Sequence, residues 1–195
     1  FPDITYSFYD VWAELFRIPY KQMPLDENFR LKIDDYKGEN GGIVFPNPNA
    51  PTGIYESLDH VEEIIKNNPD VIVIVDEAYI DFGGETALPL VDKYDNLVVV
   101  RTFSKSRSMA GLRIGYAISN PELIKALNDV KYSYNSYTMN RPSLVLGVES
   151  IHDDAYFREK VGQIIATRER FVKEIAELGF CLLYTSPSPR DRSVS

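Results

Sequence analysis

Val71-Ile72-Val73-Ile74-Val75 runs without a polar break and ends directly in Asp76-Glu77-Ala78-Tyr79. Five consecutive β-branched residues are the pattern of a strand buried on both faces, which belongs to a parallel sheet covered by helices. Leu97-Val98-Val99-Val100 repeats the pattern, 113–118 reads as a third such strand, and Gly42-Ile43-Val44-Phe45 is shorter and stops at Pro46. Helical stretches alternate with these strands. Ser57 precedes Leu58, Val61, Ile64 and Ile65 as an N-cap, and Pro121 opens a helix through Leu123, Ile124 and Leu127. Strands alternating with helices give an α/β three-layer sandwich with a mostly parallel sheet.

Ligands in such sheets bind beyond the carboxyl ends of the strands. Asp76, Ser104 and Lys105 stand at those ends, and the loop Asn47-Pro48-Asn49-Ala50-Pro51-Thr52-Gly53 follows another. Thr102-Phe103-Ser104-Lys105 comes just past an apolar strand, with Arg113 eight residues beyond the lysine. That arrangement suits a lysine that condenses with an aldehyde while its neighbours hold a phosphate.

Elsewhere the chain is less specific. Phe8, Val11, Trp12, Leu15 and Phe16 recur at helical spacing, and 20–23 reads as a short strand. Residues 141–180 read as helix, interrupted near Asp153-Asp154. Val161, Ile164, Ile165, Phe171, Val172, Ile175 and Leu178 form its apolar stripe, and Gly179 is its stop. Residues 181–195 are polar, proline-rich and without core periodicity, and read as a foreign or disordered tail.

Composition excludes some functions. The net charge of −8 disfavours nucleic acid as a partner. No apolar run approaches the ~20 residues of a membrane span. The single cysteine, Cys181, rules out a disulfide framework and fits a cytoplasmic setting. His60 and His152 are isolated on polar helical faces, so no metal is assigned. Phe1 in place of Met suggests that the true start lies upstream.

Taken together, the motifs resemble the fold-type-I, pyridoxal-phosphate-dependent aminotransferases of class I and II. Within them, Thr5-Tyr6-Ser7-Phe8-Tyr9 and Pro24-Leu25-Asp26-Glu27-Asn28-Phe29 are similar to the histidinol-phosphate aminotransferase branch. The resemblance implies pyridoxal 5′-phosphate as cofactor and a catalytic set of Lys105, Asp76 and Tyr79. Lys105 would form a Schiff base and move a proton at the substrate Cα, Asp76 would pair with the pyridine nitrogen, and Tyr79 would donate to the phenolic oxygen O3′. Ser104 and Arg113 would hold the phosphate, and Tyr6 would stack on the ring, or else pack as a plain aromatic. The family commonly has Asn before Pro-Thr-Gly, where this chain has Ala50. Asn49, Asn47 after a loop shift, or Tyr79 alone would then serve O3′.

The same resemblance divides the chain into a partial cofactor-binding large domain at 1–145, a helix leading toward the small domain at 146–180, and the tail. It implies a fragment without the family's N-terminal glycine loop and C-terminal substrate arginine. The expected reaction exchanges an amino group between L-histidinol phosphate and 2-oxoglutarate, in a full-length homodimer. Alternatives are an aromatic-amino-acid aminotransferase, a threonine-phosphate decarboxylase, or a non-catalytic effector domain of a transcription regulator.

Overall fold

The computed structural model describes residues 1–180, so the expectation for 181–195 lies outside the described residues. Four strands form one sheet in the order β1-β2-β3-β4: β1 is Ile43–Pro46, β2 Val73–Asp76, β3 Leu97–Thr102 and β4 Gly115–Ile118. The first three run parallel, with Val73 opposite both Ile43 and Leu97, so β2 is central and its end carries Asp76.

The helices explain which strand face is dry. Helix α1 is Tyr9–Leu15, α2 Leu58–Lys66 and α3 Leu88–Val91. In α2, Ser57 Oγ accepts the His60 N–H at 3.3 Å, which fixes the start of the helix and turns Val61, Ile64 and Ile65 onto the sheet. There they join Phe45, Val73, Val75, Leu97, Val99 and Leu90 of α3 in the main core. Val73 and Val75 are fully buried, but Ile74 between them is half-buried and Ile72 is exposed. The expectation of a strand buried equally on both faces is therefore corrected: α2 and α3 seal one face, and the other stays partly open.

β4 is also corrected. It starts at Gly115 rather than at 113, pairs antiparallel with β3, and is largely exposed. Residues 103–114 connect the two strands without a crossover helix, and such a short link returns the chain antiparallel. The short strand expected at 20–23 reduces to one bridge between Pro2 and Met23.

Helix α1 forms, but its apolar residues face outward. Tyr9 and Ala13 are its buried residues, whereas Phe8, Val11, Trp12, Leu15 and Phe16 are all exposed.

Helices α4 (Pro121–Tyr134), α5 (Arg141–His152) and α6 (Asp154–Glu177) complete the described chain. The break between α5 and α6 falls at Asp153, whose carboxylate accepts the Tyr156 N–H at 3.3 Å. Val161, Ile164 and Ile165 of α6 pack on Ala50, Tyr79 and Phe82. Phe171 and Leu178 of the expected stripe are exposed, because a 24-residue helix runs roughly 36 Å and outreaches that cluster. Gly179, at φ +82°, ends the helix in the left-handed conformation.

Candidate active site

Strand geometry alone places Asp76. Its carbonyl accepts the Asn47 N–H at 2.8 Å, which ties the end of β2 to the loop after β1. Its carboxylate accepts the Ala78 N–H at 3.0 Å on Oδ1 and the Tyr9 hydroxyl at 3.0 Å on Oδ2. Burial pushes this carboxyl above the usual range, against the opposing pull of Tyr9, Ala78 and Lys105. Tyr9 is itself buried, and burial together with the Asp76 charge pushes its phenol up so far that it stays a donor.

Lys105 follows β3. Its Nζ lies 4.7 Å from the centre of the Tyr79 ring, and Asp76 is near enough to stabilise its charge. Burial nevertheless lowers its pKa, which raises the share of neutral, nucleophilic amine. The expected trio of Lys105, Asp76 and Tyr79 thus meets at one end of the sheet.

Tyr79 packs with Val161 of α6 and with Phe82, three residues further along its own segment. It is 4% exposed, and its hydroxyl is one of two buried side-chain polar atoms with no partner among the described residues. A buried phenol without a partner costs about 1–3 kcal/mol. That cost disappears when a ligand oxygen accepts its proton, and a phenolate-like oxygen next to an amine-reactive aldehyde fits the donor set present.

The loop of asparagines settles differently from expectation. Asn49 Nδ2 donates to Ile4 O at 2.9 Å and to Thr52 Oγ1 at 3.1 Å, while its Oδ1 accepts from Thr5 at 3.0 Å. Both of its amide protons are thereby taken up inside the protein, so Asn49 is placed as a loop brace with no donor left for a ligand. Asn47 is bonded reciprocally to the Glu56 backbone, at 3.0 and 2.9 Å. Ala50 packs against Tyr79, which leaves Tyr79 as the phenol aimed at the site.

Ser104 and Arg113 are less tightly defined. Thr102 Oγ1 accepts the Ser104 N–H at 3.0 Å and donates to Ile114 O at 3.2 Å, so Thr102 supports the strand end. Arg113 is exposed, sits at φ +54°, and turns its Nη1 onto Ala110 O at 3.0 Å. It lines an open cavity of about 370 Å³ together with Lys131 and Asn128. Tyr6 is 42% exposed and meets the Tyr9 ring edge-on at 5.6 Å, at the rim of the site.

The description of class I and II aminotransferases matches residues 1–186. The chain belongs to the class I and II aminotransferase family. It is 55% identical over 179 residues to a histidinol-phosphate aminotransferase of Lactococcus lactis subsp. cremoris, covering 92% of this chain and 50% of that protein. A histidinol-phosphate aminotransferase of Brachyspira hyodysenteriae is 53% identical over 184 residues, covering 94% of this chain and 52% of that protein. The chain therefore spans about half the length of these curated relatives.

Among solved structures, the histidinol-phosphate aminotransferase of Clostridium acetobutylicum superposes with a TM-score of 0.82 at 25% identity, over 90% of this chain and 55% of that one. The Sinorhizobium meliloti enzyme, solved in complex with pyridoxal-5′-phosphate, gives 0.81 at 22% identity, over 91% and 50%. These likenesses make the fold that of the fold-type-I aminotransferases, and membership in the family implies pyridoxal phosphate chemistry.

Two features of this aminotransferase site escaped the sequence reading. Tyr9 was quoted within the Thr5–Tyr9 motif but given no role of its own, although a tyrosine three positions after Tyr6 was the available signal. Arg101 was passed over, although a cation directly after four apolar strand residues needs a buried partner, which is Glu77 at 2.8 Å.

Proposed function

We propose that this chain is the cofactor-binding half of a histidinol-phosphate aminotransferase, which exchanges an amino group between L-histidinol phosphate and 2-oxoglutarate. The observation that carries the reading is the convergence of the Lys105 amine, the enclosed Asp76 carboxylate and the unpartnered Tyr79 phenol. Identities of 50–55% to relatives of that name support the choice of substrate.

When bound, pyridoxal phosphate supplies an aldehyde that amines condense with and a ring that draws off electrons. Every other task falls to side chains. Lys105 offers the amine and, when its nitrogen is free, takes and returns a proton at the substrate Cα. Its lowered pKa keeps part of it neutral for that work. Asp76 would sit against the ring nitrogen and hold its proton there, and Tyr9 keeps that carboxylate oriented. Tyr79 would donate to the ring oxygen beside the aldehyde. Ser104 and Arg113 are the groups offered to the phosphate, with Arg113 turning from Ala110 to reach it. Tyr6 offers a ring face at the rim.

Residues 1–145 would form the partial large domain and 146–180 the lead toward a small domain. The outward apolar face of α1 supports a homodimer as the functional state of the full-length protein.

The test is a full-length protein carrying this segment, assayed with L-histidinol phosphate and 2-oxoglutarate. We expect kcat/KM for L-histidinol phosphate to exceed that for phenylalanine or tyrosine. A preference for the aromatic amino acids, or decarboxylation without amino transfer, would refute the substrate assignment.

A further inference from the structure

The loop that carries Lys105 is gripped by polar side chains that amino transfer itself does not use. Glu77 is adjacent to Asp76 in sequence but serves other partners. It is 2% exposed and accepts from Arg101 Nε at 2.9 Å, Arg101 Nη2 at 2.8 Å, the Ala87 N–H at 2.6 Å and the Thr86 hydroxyl at 2.7 Å. Arg101 Nη1 then lies 3.9 Å from Asp81 Oδ1. The other Asp81 oxygen accepts from the Ser106 hydroxyl. The relay begins beside Asp76 and passes through Asp81, two residues after Tyr79. It ends on Ser106, which is 4% exposed and directly follows Lys105.

We propose that Arg101, Asp81 and Ser106 are positioning residues, which fix the Lys105 amine relative to Asp76 and Tyr79. This rests on Lys105 being the covalent anchor of the cofactor.

The alternative, a relay that only stabilises the fold, is the weaker account of its shape. A buried ion pair is a poor stabiliser compared with apolar packing of the same volume. What it adds is direction, because each bond fixes an angle as well as a distance. The Glu77–Arg101 pair alone would suffice to join β2 and β3. Instead the chain of contacts continues out of the core to Asp81, two residues after Tyr79, and to Ser106, next to Lys105. The far side of the loop is pinned independently. Arg107 donates to Ser150 O and lies 4.2 Å over the Phe157 ring, which ties the loop to α5 and α6. Lys105 thus stands on a segment held from both sides, with Asp76 as the charged group facing its amine. A misplacement of about 1 Å at a reacting group costs up to ~100-fold in rate, so such a grip has functional consequence.

The experiment uses a full-length protein carrying this segment and loaded with pyridoxal phosphate. Ser106→Ala, Asp81→Asn, their double and Ser106→Thr are compared. One readout is the midpoint pH of the bound cofactor's absorbance change, and the other is the melting temperature of the cofactor-free form. Each single variant should move the midpoint by about half a pH unit or more. The double should move it no further than the larger single, since both break one contact. Ser106→Thr should restore it. Unmoved midpoints with lowered melting temperatures would overturn the proposal, as would additive shifts in the double. Borohydride reduction of the unmutated protein separates the two readings. Label on Lys105 with unmoved midpoints sinks the relay alone, and label on another lysine sinks the anchor and the relay together.

Discussion

The Tyr9 hydroxyl lies 3.0 Å from Asp76 Oδ2, joining the first helix to the end of the central strand across 67 positions of sequence. Tyr9→Phe removes the donor and leaves a buried carboxylate with one fewer hydrogen bond. Stability at neutral pH should fall by about 1–3 kcal/mol, as read by urea denaturation of the full-length cofactor-free protein. No measurable loss would mean that the carboxylate is satisfied by other groups.

Asp76 itself is held at a cost. Its pKa in the folded chain lies above its unfolded value of ~3.9, chiefly through burial. Between those two values the native state keeps the proton and the unfolded state has lost it. Stability therefore falls as pH rises through that window, and stays lowered above it. Asp76→Asn should remove this pH dependence and raise stability at pH 7 by about 1 kcal/mol, while proton transfer at the substrate Cα slows severely. Denaturation at acid and neutral pH, with single-turnover rates beside it, checks both halves. Unchanged turnover would rule out the role given to this carboxylate.

Lys105 should become nucleophilic at a lower pH than an ordinary lysine. Its pKa is lowered by burial, whereas that of Lys66 is raised by Tyr94 and Glu62. Competitive acylation of the cofactor-free protein across the alkaline range should give Lys105 the lower apparent pKa. Equal profiles for the two lysines would show that the burial seen here does not shift the amine.

Glu77 and Arg101 should be inseparable. Glu77→Gln removes the nearer counter-charge of the guanidinium, at 2.8 Å, and should cost about 3 kcal/mol. Pairing it with Arg101→Met should recover much of that loss. Thermal denaturation of Glu77→Gln, Arg101→Met and the double checks this, and a double variant as unstable as the sum of its parts would contradict the pairing.

The fold was legible because strands announce themselves through unbroken β-branched runs and helices through caps. Val73, Val75 and the Ser57 cap stand where the pattern puts them. Side chains that meet through long-range contacts were not legible. The spacing of Tyr9 after Tyr6 does not say that it reaches Asp76, and the apolar run before Arg101 calls for a buried partner without saying that it is Glu77 across the strands. The orientation of α1 was not legible for a related reason. Helical periodicity gives a face but not the direction in which it points, and here Tyr9 and Ala13 turn inward while the apolar face turns outward. Asn49 misled because its residue type suits a ligand donor equally well as a loop brace, and only its three contacts decide between them.

Lys105 is proposed as the amine that anchors pyridoxal phosphate, with Asp76 and Tyr79 arranged around it. The direct measurement is borohydride reduction of a full-length, cofactor-loaded protein carrying this segment, followed by peptide mapping. The reduced pyridoxyl group should appear on the peptide containing Lys105 and be absent from Lys105→Ala. Label on Lys66, Lys125 or any other lysine, or undiminished labelling of Lys105→Ala, would contradict it.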